Sequence, residues 1–216
     1  MNWTWIVDNA GDIASLLGQH LVLALVPVVA SFVLSLVIGY LVYLTGPLAN
    51  AFLAVFGAIY SVPSLALFVL LPLVLGTQVL NPINVLVALT IYTTALLSRS
   101  VVDGLRDVPV DVKQAADGMG YGRLRRFFGV DLPLAMPVIY AGLRVATVSN
   151  IALTSISVLI ASPSLGTLFN QGFNQYFLTP VWVGLISRIS RSANSATRID
   201  RIKPTQTGVR KFWLKP

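Results

Sequence analysis

Hydrophobic residues form long runs in this chain, and polar residues are confined to short stretches between them. The first run, Leu21–Leu44, holds about 24 residues without a charge, enough to cross the ~30 Å hydrocarbon core of a bilayer as a helix. Ile83–Leu97 and Leu134–Ile160 are further runs of the same kind. Long apolar runs of this sort predict membrane-spanning helices rather than the half-buried helices of a soluble protein.

Small residues recur at every fourth position within the first run, at Ser31, Ser35 and Gly39. Such a stripe lets a second helix approach closely. It can equally arise by chance in an apolar helix that contains serine and glycine, and the sequence favours neither interpretation.

Two other apolar segments differ in length from a simple span. Leu48–Gly76 is long for one membrane helix, and we expect Pro63 to divide a leading segment from the second membrane helix. Val181–Ile186 begins a fifth segment that stops after about six residues, far short of the ~20 that a span needs. The pattern therefore predicts an all-α, polytopic membrane helical bundle with about five transmembrane helices, the last of them truncated.

Composition agrees with a membrane protein and excludes several kinds of chemistry. The 216 residues are 56% hydrophobic and 11% charged, and the mean hydropathy is +0.79. There is no cysteine and a single histidine, so neither a disulfide framework nor a metal cluster is expected. None of the four lysines follows a glycine, so the phosphate-binding loop of a nucleotide hydrolase is absent. We expect no catalytic residue, no metal and no cofactor.

The net charge of +7 belongs to the end of the sequence. Up to Ile186 the basic residues and the aspartates are equal in number, whereas residues 187–216 contain eight basic side chains and only Asp200 as an acid. We therefore divide the chain into a membrane domain, residues 1–186, and a basic tail, residues 187–216, and expect no nucleic-acid partner. A tail of this kind could bind anionic lipid, at about 1 kcal/mol per cation. Because it interrupts the fifth helix, we favour a disordered tail produced by a frameshift or a coding-boundary error.

The distribution of cations also predicts orientation. Arg99–Arg126 is the basic loop of the membrane domain, and basic loops stay in the cytoplasm. Counting back through three spans places the N-terminus outside.

That cytoplasmic loop contains the stretch VKQAADGMGYGRLRRFFGVDLP, which begins at Val112. Pro109 suits the first turn of a short helix, and Gly118 or Gly120 suits its exit. Arg123–Val130 is expected to form a second short helix before the next membrane helix. The predicted helix-turn-helix element has a shape suited to insertion into a partner's groove.

The spacing within this stretch resembles the cytoplasmic coupling loop of type I ABC importer permeases. The family pattern is Glu-Ala-Ala, three residues, Gly, nine residues, then Ile-x-Leu-Pro, and every interval is matched here, with Gln114 replacing the glutamate and Val130 the isoleucine. We place the coupling loop at residues 103–133. The candidate ATPase-coupling residues are Gln114, Ala115, Ala116, Gly120, Leu132 and Pro133.

The apolar segments extend the resemblance over roughly 21–173. SVPSLALFVLLPLVLG and LPLAMPVIYAGLRVATVSNIALTSISVLIASPSLGTLFNQGF are similar to segments of the osmoprotectant branch, which imports glycine betaine, choline, carnitine and related quaternary amines. The resemblance implies a multi-pass permease of a bacterial or archaeal inner membrane. It also implies a separate ABC ATPase subunit that hydrolyses ATP, an extracytoplasmic substrate-binding protein, and a second permease copy or a sister permease.

Two alternatives remain open. An ion-coupled secondary transporter or channel would need acids within the membrane, and all seven aspartates of the membrane domain fall outside the predicted spans. A truncated, nonfunctional permease would lack a real fifth span.

A few single side chains within or beside the spans carry further expectations. Arg144 lies within the fourth predicted span, and because it would repel a cationic solute we expect a structural partner in the bundle. We expect His20, at the outer end of the first span, to be an interfacial polar residue rather than a proton relay. Four tyrosines could offer ring faces to a quaternary ammonium, although membrane tyrosines are more often interfacial anchors. They are Tyr60, Tyr92, Tyr140 and Tyr176.

Overall fold

The computed structural model describes residues 3–78, 81–160, 163–175 and 178–186. All regular elements in these ranges are helical. The proposed tail, residues 187–216, and Tyr176 lie outside the described residues. The α-helices are α1 (Trp3–Asp8), α2 (Ala10–Leu44), α3 (Ala49–Ser61), α4 (Ser64–Leu75), α5 (Pro82–Arg106), α6 (Val110–Gly118), α7 (Arg123–Arg126), α8 (Leu132–Thr154) and α9 (Gly166–Asn174).

Three long helices, α2, α5 and α8, form the centre of the bundle. Their contacts depend on small residues, because these allow backbones to approach. Ser31, Ser35 and Gly39 of α2 are all buried, and Ser31 Oγ donates a hydrogen bond of 3.0 Å to the Thr90 carbonyl of α5. Of the two interpretations that the sequence left open, the structure supports a packing face for this small-residue stripe.

Glycine has the same role between α5 and α8. A Cβ atom added at Gly104 would lie 3.0 Å from the Ala135 carbonyl oxygen and 3.3 Å from the Ala135 Cβ. Contacts that tight require the neighbouring helix to move. The α5–α8 interface therefore depends on the missing side chain.

A buried polar contact joins all three central helices. Thr93 Oγ1 donates to Asn150 Oδ1 over 2.9 Å, and Asn150 Nδ2 donates to the Ala24 carbonyl over 3.4 Å. Asn150 is 1% exposed. Since a polar group in hydrocarbon needs a partner, this contact fixes the relative positions of α2, α5 and α8.

The second apolar run is broken where the sequence predicted. α3 ends at Ser61, Val62 is extended, and α4 begins after Pro63 with an axis bent by 99° from the first half. The division at Pro63 is confirmed. No pattern along the chain indicates the size of the bend.

Within the described ranges, three helices are long and apolar enough to cross a membrane, and the bent pair would make a fourth span. Residues 178–186 are helical where the fifth segment begins. The central spans are longer than their apolar cores: α2 begins at Ala10 and α5 continues to Arg106. His20 therefore lies within α2 rather than at the end of that helix, which corrects the predicted helix start, and it is 1% exposed. Its expected interfacial position stays a prediction.

Candidate functional site: the coupling loop

The predicted coupling loop, residues 103–133, is built on α6. Pro109 precedes it with an extended ψ of 139°, and Asp111 lies in its first turn. The helix ends in a Schellman motif, in which the Tyr121 N–H donates to the Ala116 carbonyl over 3.1 Å and the Gly120 N–H donates to the Asp117 carbonyl over 3.0 Å. Gly120 has φ = 79°, a left-handed conformation that glycine adopts without strain. Of the two predicted exit residues, the structure selects Gly120.

The predicted coupling residues do not all face the same way. Gln114, Ala115, Gly120 and Pro133 are exposed, and Leu132 is partly buried. Ala116 is 1% exposed and faces the protein. The structure therefore divides the two alanines of the pattern: Ala115 is available to a partner, whereas Ala116 allows α6 to lie close to the bundle.

Lys113 fastens the inner side of α6 to two membrane helices. Its Nζ donates to Tyr43 Oη over 3.0 Å and to the Leu105 carbonyl over 2.8 Å. It also lies 5.2 Å from the centroid of the Tyr43 ring, within range of a cation–π contact. One cation thus joins α6 to the last turns of α2 and α5.

Arg126 fastens the other side of the loop. Its Nη1 lies 2.6 Å from both carboxylate oxygens of Asp117, and its Nε lies 3.2 Å from Oδ2 of Asp131. The Asp131 side chain is only 3% exposed, whereas that of Asp117 is 53% exposed. The guanidinium therefore bridges the end of α6 to a buried carboxylate at the start of α8.

The backbone between Arg126 and Asp131 makes that bridge possible. Residues Phe127–Asp131 form a π-helical turn, closed by a bond from the Leu132 N–H to the Phe127 carbonyl. In an α-helix, residues five apart point about 140° away from each other. The wider π turn brings them to the same side, which is why Arg126 and Asp131 meet.

Apolar side chains also pack the π turn against α2 and α5. Phe127 is buried with Val101, Leu105 and Val108, and its ring centroid lies 4.1 Å from that of Tyr40 on α2. Arg125 remains outside, 4.7 Å from the Tyr121 ring centroid. The loop is therefore a packed extension of the bundle.

Two sequence expectations about this loop need correction. Arg123–Val130 was predicted as a separate second short helix, but the helix runs without interruption from Arg123 to Leu159. The cause is the π turn, which carries the chain directly into α8. The anchors Lys113 and Arg126 were also missed. The sequence shows several basic residues and several aspartates within one short loop, which indicates that ion pairs can form there. Spacing along the chain does not show which of these residues are in contact.

Several other charged residues lie outside these anchoring contacts. Asp103 forms an exposed pair with Arg99 at 3.8 Å, a geometry of small energetic value. Asp107 follows the end of α5. Arg144 is exposed on α8, and its expected partner within the bundle stays a prediction. No group of acids and histidine suited to a metal ion occurs in the described ranges.

Residues 31–190 match the family described as the binding-protein-dependent transport system inner membrane component. The chain belongs to this family. It is therefore a transport permease subunit of an ABC importer and a multi-pass membrane protein. This agrees with the expectations drawn from the coupling-loop spacing.

Two curated relatives of this permease come from the osmoprotectant branch. The osmoprotectant import permease protein OsmW of Salmonella typhimurium is 32% identical over 173 residues, which cover 79% of this chain and 80% of that protein. The glycine betaine/carnitine/choline transport system permease protein OpuCB of Bacillus subtilis is 25% identical over 173 residues, covering 80% of this chain and 78% of that protein.

The fold of the permease has solved counterparts. A chain of the MetNI methionine ABC transporter, in inward facing conformations, superposes with a TM-score of 0.77 at 22% identity. The match covers 85% of this chain and 91% of that chain. It shows a shared membrane fold.

Proposed function

We propose that α6 and the turn after it dock into a separate ABC ATPase subunit and pass its movements to a pathway for quaternary-amine osmoprotectants. Gln114, Ala115, Gly120, Leu132 and Pro133 are the proposed coupling residues, and Ala116 supports them from the buried side. ATP hydrolysis belongs to the partner, so this chain is not an enzyme.

The observation that carries the proposal is the double anchoring of an exposed helix. Gln114 and Ala115 of α6 are exposed. The neighbouring Lys113 donates hydrogen bonds to α2 and α5, and Arg126 forms an ion pair with Asp131 at the start of α8. A displacement applied to α6 is therefore transmitted to all three central helices. A loop without these anchors would absorb the displacement in its own backbone.

The substrate class rests on the relatives and on charge. Both named relatives belong to osmoprotectant uptake systems, and glycine betaine, carnitine and choline all carry a quaternary ammonium. No acidic residue occurs between Asp12 and Asp103 or from Leu132 to Ile186, so most of the membrane domain has no carboxylate that would trap a cation. We therefore propose import of quaternary amines, delivered by an extracytoplasmic binding protein.

The remaining assembly follows from the orientation of the loop. We place residues 103–133 in the cytoplasm and the N-terminus outside, with a second permease copy or a sister permease completing the pathway. Residues 1–186 form the membrane domain in this proposal, and residues 187–216 are a tail outside it.

The docking experiment compares two exposed positions, one on α6 and one on α1. Ala115→Arg places a large cation on the proposed dock, and Val7→Arg places one at a 73% exposed position on α1, near the N-terminus. We expect the unaltered chain and Val7→Arg to copurify with an ABC ATPase subunit, identified by mass spectrometry, and Ala115→Arg to lose it. Equal recovery by all three chains would reject α6 as the dock.

The transport experiment separates an ATP-driven importer from an ion-coupled carrier. The assembled transporter is reconstituted in proteoliposomes and supplied with labelled glycine betaine, choline or carnitine. We expect it to move solute across the membrane only when ATP is present on the side that carries the ATPase subunit. Accumulation driven by an ion gradient without ATP would overturn the proposal.

A further inference from the structure

The break between α3 and α4 lies deep in the membrane domain. The rings of Tyr60, near the end of α3, and Tyr92 of α5 make an edge-to-face contact, with centroids 5.8 Å apart and planes at 73°. Tyr92 is about 15 Å along α5 from Pro82 and about 21 Å from Arg106, at 1.5 Å per residue. The broken backbone is therefore near the middle of a 25-residue spanning helix.

This break is exposed. Ser61, Val62 and Pro63 are all exposed in the chain, and Val62 has a ψ of 131°, outside the helical range. Backbone without helical hydrogen bonds is not stable against lipid, and at membrane depth it occurs where protein or water covers it. The surface around Pro63 therefore faces an aqueous cavity or another protein surface rather than lipid.

α4 presents its N-terminus at the break. Its first backbone bond runs from the Leu67 N–H to the Pro63 carbonyl, so the N–H groups of Ser64, Leu65 and Ala66 precede the bonded turns. These groups carry the positive end of the helix dipole. In transport proteins, half-helix N-termini within the membrane are suited to bind anionic groups of a solute.

A second, independent feature lies beside this N-terminus. Tyr92 is 4% exposed, and among the described residues its Oη has no hydrogen-bond partner. α4 packs on α5, where Phe68 and Leu71 share a buried cluster with Val85, Ala88 and Leu89. The Tyr92 ring contacts the ring of Tyr60, which stands four residues before Ser64, so Tyr92 belongs to the surroundings of the break. A buried hydroxyl without a partner is costly, so its presence here points to a ligand.

We propose that this break is a solute-binding site for quaternary amines that also carry a carboxylate, such as glycine betaine and carnitine. The Tyr60 ring, 42% exposed, receives the quaternary ammonium. The N–H groups of Ser64–Ala66 and the Tyr92 hydroxyl bind the carboxylate. The inference rests on the proposed substrate class and adds a location and a preference to it: choline, which has no carboxylate, binds less tightly.

The alternative is that Tyr60 and Tyr92 are packing residues only. The two roles predict different responses. Tyr92→Phe removes just the unpartnered hydroxyl, so a packing role predicts no loss of stability or of binding. Tyr60→Phe keeps a ring for the ammonium, whereas Tyr60→Leu does not. Phe52→Leu removes an aromatic ring of similar exposure, 44%, from the same helix and serves as the control.

The test is binding of radiolabelled glycine betaine to the full chain in lipid nanodiscs, with unlabelled choline as competitor. We expect glycine betaine to bind Tyr60→Leu about fivefold more weakly, as loss of one cation–π contact implies. We expect Tyr92→Phe to bind it about tenfold more weakly, as loss of a hydrogen bond to a charged group implies. Tyr60→Phe and Phe52→Leu should bind as the unaltered chain does, and Tyr92→Phe should change choline competition little.

Several outcomes would overturn the site. They are the absence of glycine betaine binding at millimolar concentration, binding that neither Tyr60→Leu nor Tyr92→Phe weakens, and choline binding equal to that of glycine betaine. Each leaves the coupling proposal standing if the ATPase still copurifies with the chain. A transporter that accumulates no quaternary amine at all would instead reject the proposed function.

Discussion

The ammonium of Lys113 lies 3.0 Å from the Tyr43 hydroxyl and 5.2 Å from the centroid of the same ring, so one side chain ties the coupling helix to the end of α2. The same ammonium donates to the Leu105 carbonyl of α5. These contacts do not involve the exposed residues of α6, Gln114 and Ala115. In the proposed function, docking therefore depends on the exposed face of α6 and force transmission on its buried contacts, so the two can be tested separately.

Lys113→Met should uncouple transport from docking. The variant keeps an apolar stem but loses both hydrogen bonds, so the ATPase should still copurify while transport falls roughly twofold to thirtyfold, the range expected for a weakened coupling network. Tyr43→Phe, which keeps the ring, should have a smaller effect. The measurement is the ratio of solute transported to ATP hydrolysed. An unchanged ratio would contradict the anchoring role.

Arg126→Gln should destabilise the loop by about 3–5 kcal/mol, because it leaves the buried Asp131 carboxylate without its cation. Removing that charge as well, in Arg126→Gln/Asp131→Asn, should restore much of the loss. Asp117→Asn alters a half-exposed pair and should cost under about 1 kcal/mol. Denaturant unfolding in detergent measures all three. Equal effects of Asp117→Asn and Arg126→Gln would contradict the ranking.

Gly120→Ala and Gly118→Ala form a matched pair. A Cβ atom would have no neighbour within 4 Å at either position, but only Gly120 has a positive φ. Gly120→Ala should therefore cost about 1 kcal/mol or more from backbone strain. Gly118→Ala, within α6, should be neutral or stabilising by up to about 1 kcal/mol. The same unfolding assay measures both variants. A destabilising effect of Gly118→Ala would show that steric contacts of the added Cβ, and not the backbone conformation, determine where glycine is required in this turn.

The Thr93–Asn150 hydrogen bond is suited to a double-mutant cycle. Thr93→Val and Asn150→Leu each remove one partner, and the coupling energy should be near 0.6 kcal/mol and at most about 1.7 kcal/mol, as for other hydrogen bonds between membrane helices. Additive effects in the cycle would mean that the 2.9 Å contact contributes nothing measurable.

Sequence patterns predicted the apolar spans and, within residues 103–133, the short helix with its exit at Gly120, because both depend on composition and spacing along the chain. Pro63 fixed the position of the broken helix, since proline cannot continue an α-helix without losing a bond. The 99° bend depends on how α3 and α4 pack on α5, which no local pattern encodes. Burial of Ala116 beside exposed Ala115 likewise depends on the rotation of α6, which Lys113 and Arg126 set through contacts distant in sequence.

The π turn of Phe127–Asp131 holds one residue more than an α-helix would use over the same stretch. Deleting one residue there, for example Gly129, would restore an ordinary α-helix and leave Arg126 and the present Asp131 four positions apart, about 40° from each other, so the bridge between them would be kept. Inserting one residue would instead place them six positions apart, about 120° from each other in an α-helix, and would break the bridge. Shortening of this turn by one residue should consequently be far better tolerated than lengthening.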